Sequence, residues 1–179
     1  MKRHKVFLSP GEMPDMTIKR DTDDSEYMSF IRDLLDSDPV KTMGAYIQHG
    51  GTTTYTHCRA VAYYSYRTCR VLHLNADLRS LSRGAMLHDL FLYDWHVPDQ
   101  SHRLHGFCHP RFALENARRF FAINRTEENI IGSHMWPLTV TRIPRCREAW
   151  VVCMTDKACS LIEMCRRRSS VTFRRICED

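Results

Sequence analysis

The chain has 179 residues, 43% of them apolar, and 26 basic against 21 acidic residues give it a net charge of +5. That length suits one ordinary domain with a sizeable core, and with no run of eighteen uncharged apolar residues no membrane-spanning helix is expected. No apolar leader follows the basic start, so a cytoplasmic protein is expected. The eight cysteines, singly placed without a CxxC pair, read as reduced, buried thiols.

Residues 1–22 hold Pro10-Gly11 and Pro14 without a clean period and read as an irregular arm. Asp23-Asp24-Ser25-Glu26 then supplies capping oxygens and first-turn acids. Met28, Ile31, Leu34 and Leu35 recur at helical spacing behind it, and Asp38-Pro39 is expected to close this helix. A short second helix should hold Val40, Met43, Ala45, Tyr46 and Ile47 and stop at Gly50-Gly51. From about Thr53 to Leu74 the spacing predicts a long helix with His57, Val61, Tyr64, Thr68 and Leu72 on one face.

Asn75 and Asp77 mark the next turn and cap. Leu78, Leu81, Ala85, His88 and Leu92 step by three and four, which puts His88 on a buried stripe and Asp89 about 100° around the helix. A polar loop runs from Tyr93 to about Phe107. His109-Pro110 is then expected to open a helix, with His109 as its cap, because proline suits a first helical position. Thr126-Glu127-Glu128 starts a further helix carrying Ile130, Ile131 and His134, ended by Pro137. A last helix, about Cys146 to Arg166, has the stripe Ala149, Val152, Asp156, Cys159 and Glu163. Leu138 to Thr141 is too short to found a sheet, so the fold class is all-α: an arm over 1–22, a helical domain over 23–166 and a basic tail over 167–179. The tail arginines lack interleaved aromatics, so no specific nucleic-acid polymer is expected as partner.

The chemistry gathers in His57, the adjacent pair His88-Asp89, His109, His134 and Asp156. Three of these lie on apolar stripes of separate predicted helices, where burying an unpaired carboxylate costs several kcal/mol. Each other and a divalent cation are the economical partners. Imidazole suits Zn, Fe, Co or Ni and carboxylate suits Mg or Mn, which leaves the ion open.

The order His57, His88-Asp89 and Asp156, with Leu87-His88-Asp89-Leu90-Phe91-Leu92-Tyr93-Asp94-Trp95 and His105-Gly106-Phe107-Cys108-His109-Pro110, resembles the HD superfamily of metal-dependent phosphohydrolases. The resemblance covers about Thr53 to Glu163, and closest in pattern are small single-domain members without an assigned substrate. It implies an HD-type helical bundle with one or two metal ions at its centre. His57, His88, Asp89 and Asp156 would hold the first ion. His109 and His134 would hold the second, with Asp89 bridging and acting catalytically. The chain reads His134-Met135-Trp136-Pro137 where the cyclic-dinucleotide branch has paired histidines and Gly-Tyr-Pro, so that branch's substrate is not implied.

The activity implied is cleavage of a small phosphate ester, a nucleotide-like mono- or diester, by a metal-activated hydroxide. Lys157, Asp94 and His105 are candidates for substrate contact, and Trp136 for stacking on a base. Two other readings stay open: a two-iron oxygenase on the same fold, and a regulatory module that binds metal or ligand without turnover.

Overall fold

The computed structural model describes residues 23–49, 51–97, 100 and 103–177, with side chains over 25–48, 51–97, 100 and 103–165. The arm expected over 1–22 and the side chains of the basic tail lie outside them. Among the described residues the fold is all-α, seven α-helices with a single two-stranded ribbon. No helix among these residues is long and apolar enough to cross a membrane.

The first helix, α1 (Asp23–Leu35), takes the acidic cluster as its first turn and buries Tyr27, Ile31 and Leu34. Asp38-Pro39 does not close it. The pair instead opens α2 (Asp38–Thr42), where proline's missing N–H costs nothing. The second helix, expected to reach Ile47, stops at Thr42. A 3-10 turn (Met43–Ala45) follows, and the chain extends into β1 (Ile47–His49). This strand pairs antiparallel with β2 (Thr52–Thr53), Ile47 opposite Thr53 and His49 opposite Thr52. The ribbon carries Gln48 into the interior, where it is buried.

The long helix α3 (Thr54–Val71) is capped by Thr53, whose hydroxyl oxygen accepts the Thr56 N–H at 3.2 Å. Its buried face runs through His57, Val61, Ser65 and Cys69, with Cys58, Ala62 and Tyr66 beside it. Tyr64 and Leu72, expected on that face, are exposed, because steps of four carry the stripe to Ser65 and Cys69.

The helix α4 (Leu78–Leu87), capped by Asp77, is the centre of the molecule and packs against α1 and α3. Every residue from Ser80 to Phe91 is buried, so no solvent-facing side exists there. Its polar residues survive burial because they are paired. Arg83 reaches Asp33 at 2.6 Å and Glu127 at 3.2 Å, and Ser82 donates to the Leu78 carbonyl at 2.7 Å.

Four helices are thus followed by α5 (His105–Phe120), α6 (Arg125–Ser133) and α7 (Arg147–Cys177). α5 begins earlier than His109-Pro110 suggests, so His109 is its fifth residue and not its cap. α6 begins at a capping box. The Asn124 side chain accepts from Glu127 N–H and Glu127 accepts from Asn124 N–H, each at 2.9 Å. α7 extends beyond the expected end at Arg166 and runs on to Cys177. Leu138 to Thr141 forms turns.

Where α4 crosses α6, Gly84 faces Ile130 so closely that a Cβ would lie 2.7 Å from its Cδ1 and 3.0 Å from its Cβ. Gly84→Ala is therefore expected to destabilise the protein by about 1–3 kcal/mol through overpacking. Urea denaturation checks this, and an unchanged midpoint would mean that α6 yields freely.

Candidate metal centre

Five helices deliver six buried side chains to one point. His57 comes from the first turn of α3, His109 from α5 and Asp156 from α7. His88 and His134 are the C-cap residues of α4 and α6, and Asp89 follows the first of them. None of the six is more than 7% exposed. His88 was expected within its helix; it stands just past the end, as does His134.

That placement has a physical use. The last carbonyls of a helix have no intrahelical donor, and a histidine at the C-cap can donate to one of them. His88 Nδ1 lies 2.7 Å from the Ala85 carbonyl and His134 Nδ1 lies 2.9 Å from the Ile131 carbonyl. His109 Nδ1 lies 2.8 Å from the His105 carbonyl. A carbonyl only accepts, so each Nδ1 carries hydrogen and each Nε2 presents a lone pair inward when the ring is neutral. His57 is held by a carboxylate instead, its Nδ1 3.1 Å from Glu163 Oε2. A ring tied at one nitrogen to a carbonyl or carboxylate, with the other directed inward, is the usual setting of a metal-binding histidine.

The inward atoms crowd together. His57 Nε2 is 3.1 Å from Asp156 Oδ1, and His88 Nε2 is 3.4 Å from Asp89 Oδ2 and 3.6 Å from Asp156 Oδ1. Asp89 Oδ1 is 3.2 Å from His109 Nε2 and 3.4 Å from His134 Nε2. The two rings bring Nε2 to Nε2 at 2.9 Å. With both Nδ1 atoms donating outward, two neutral rings would oppose their lone pairs there, which a proton or a cation must relieve. Among the described residues, His88 Nε2 and Asp89 Oδ1 also find no hydrogen-bond partner although both are buried. An orphaned buried group costs about 1–3 kcal/mol, and both orphans face the same interior.

The donors fall into three overlapping groups whose ligand atoms lie within 4.8 Å of one another: His57, His88 and Asp89; His88, His134 and Asp156; Asp89, His109 and His134. Imidazole nitrogens mixed with carboxylate oxygens fit a borderline divalent ion. The residues present therefore fit a metal ion, and Asp89 belongs to two of the groups.

Charge is divided unevenly in the metal-free site. Burial disfavours a His57 cation, but Asp156 and Glu163 outweigh it and push the ring up to about 10. His88 is likewise raised in spite of burial, chiefly by Asp89. Burial would raise Asp89, yet His88 and His109 hold it well below the usual carboxylate range. His57 and His88 do the same to Asp156. His134 moves the other way, because burial lowers it.

Gln48 and Glu163 complete the setting, and neither was a candidate in the sequence. Gln48 donates to Asp89 Oδ2 at 2.6 Å and so orients the shared carboxylate. A lone glutamine on a three-residue strand carries no sequence signal. Glu163 did carry one: it lies seven residues after Asp156, two turns along the same face of α7.

Above the cluster opens a cavity of about 860 Å³. Asp89, His109, His134 and Asp156 reach it from below, and Trp95, Met135, Pro137, Leu138, Leu161 and Met164 are among its walls. The candidate substrate contacts separate here. His105 lines the cavity, its ring stacked between Trp95 (5.0 Å) and His109 (4.6 Å) and its Nδ1 2.9 Å from the Tyr93 hydroxyl. Lys157 also lines it, but its ammonium donates to the His134 carbonyl at 2.8 Å and the Cys153 carbonyl at 3.2 Å. Asp94 is not among the lining residues; half exposed, it accepts from the His96 backbone N–H at 3.0 Å. Trp136 is not among them either and packs edge-on against Trp150. Neither protein-family models, nor curated proteins, nor solved structures give a match to this chain.

Proposed function

We propose that the protein is a metal-dependent hydrolase of small phosphate esters, with His57, His88, Asp89, His109, His134 and Asp156 as ligands of one or two divalent ions. The observation that carries the reading is the cluster itself: four imidazoles with Nε2 directed inward and two carboxylates, buried together at the base of an open cavity. A divalent ion there would supply charge neutralisation at the phosphoryl oxygens and a water of lowered pKa. The protein's own part is to fix geometry. The Ala85, Ile131 and His105 carbonyls and Glu163 orient the rings, and Gln48 orients Asp89.

Purification without oxygen, metal analysis and a substrate panel test this. Turnover of p-nitrophenyl phosphate or mononucleotides that depends on added Mn, Co, Fe or Mg supports it. Turnover confined to oligonucleotides, or none with any ion, overturns it. His134→Ala should lower metal content from two ions towards one without unfolding the chain, and unchanged content would return His134 to a purely structural role.

The apolar walls of the cavity favour a second reading, oxidation of an apolar substrate at two irons. Two irons per chain and oxygen uptake with no phosphate released would decide for it.

A further inference from the structure

The walls of the cavity are unlike those of a site for a polyanion. Trp95, Met135, Pro137, Leu138, Leu161 and Met164 enclose the space above the cluster. Leu138, Leu161 and Met164 are between 44% and 59% exposed, so they form an apolar rim that water touches until something covers it. Lys157 is the one basic lysine or arginine among the described residues that line the cavity, and it is already committed. Besides the His134 and Cys153 carbonyls it meets Cys153 Sγ at 3.3 Å. Among the described residues a second phosphate or a charged body would meet no guanidinium in the cavity lining, and its desolvation would go uncompensated by them. Among the described lining residues, charge is matched at the base, where the ligand cluster lies.

We infer that the substrate is an amphipathic phosphate monoester, with a single phosphate head at the ligand cluster and an uncharged apolar body along Trp95, Met135, Leu138, Leu161 and Met164. The inference rests on the phosphoester reading and narrows it away from nucleotides, whose ribose and polar base edges would lie against these walls. Hydrolysis needs only water as co-reactant: its oxygen bonds to phosphorus, the ester P–O bond breaks, and a proton passes to the released alcohol.

Two ladders test it on the metal-loaded full-length chain. Binding of non-hydrolysable alkyl phosphonates, from methyl to dodecyl, is measured by calorimetry, and turnover is measured on alkyl phosphates of the same lengths. Affinity should rise about threefold to fourfold per methylene until the walls are covered, and kcat/KM should follow. Leu161→Asp, at an exposed rim position, should flatten the ladder while metal content is retained. A flat binding ladder, or a nucleoside phosphonate binding more tightly than octyl phosphonate, overturns the inference. If p-nitrophenyl phosphate is still turned over in that case, the phosphoester reading survives alone. A steep binding ladder without hydrolysis at any length leaves the apolar pocket standing and defeats the phosphoester reading.

Discussion

Asp89→Ala is expected to leave the protein with little metal and no measurable turnover. Asp89 belongs to two of the three donor groups, so its loss weakens both halves of the centre at once. Loss of a residue that merely orients a ligand costs about 10–100-fold in metal affinity or activity, and removal of a shared ligand should exceed that. The variant also leaves His88, His109 and His134 facing one another without the carboxylate that balances them. Metal analysis after dialysis and turnover on the same sample are the measurements. Asp89→Asn provides the control, since it keeps the shape and the Gln48 neighbourhood but removes the charge. Full metal content in Asp89→Ala would show that Asp89 is a structural carboxylate.

The second large effect is on stability. An ion that binds only the folded chain adds about 4 kcal/mol at a thousandfold excess over its Kd. For a chain of this size that corresponds to a rise in Tm of about 8–16 °C. The rise should grow with pH. In the metal-free fold His57 is raised from 6.5 to about 10, so its contribution is complete below pH 6.5 and is lost as pH climbs through 10. Asp89 and Asp156 are depressed below 3.8, so their contribution is present above that value and is lost as pH falls through their folded values. Between these limits the ion must displace a proton from His57. Apparent affinity should therefore strengthen by up to about tenfold per pH unit for each proton released. Thermal melts from pH 6 to 9, with and without Mn or Co, measure the increment. An increment independent of pH would remove His57 from the ligand set.

Much of the architecture is legible in the sequence because helical periodicity reports burial directly. Ile31 and Leu34, Val61, and Val152 with Asp156 all lie inside, as their spacing implies. The six polar side chains meet in one place, and their residue types on apolar stripes are what singled out three of them. What was hidden is where helices end. A periodic pattern continues through His88 to Leu92, yet α4 stops at Leu87, because the His88 side chain takes over a carbonyl that the next N–H would have served. His109-Pro110 carries a start signal, but α5 begins a turn earlier at His105. The burial of α4 from Ser80 onward was also hidden, since Ser80, Ser82 and Arg83 resemble a solvent-facing side until Asp33 and Glu127 are placed beside them. Lys157 illustrates the limit for substrate contacts: a lysine beside Asp156 suggests a phosphate partner, and only the positions of two backbone carbonyls show its ammonium already engaged.

The contact between His57 and Asp156 joins points 99 residues apart along the chain. Such a closure cannot form while the chain is still gathering its local helices, because the loop entropy is offset only when the intervening elements are docked. An ion held by this cluster would therefore act late on the folding path. It would leave the rate of folding nearly unchanged and slow the rate of unfolding, so the loaded protein would owe its persistence to a higher barrier to opening.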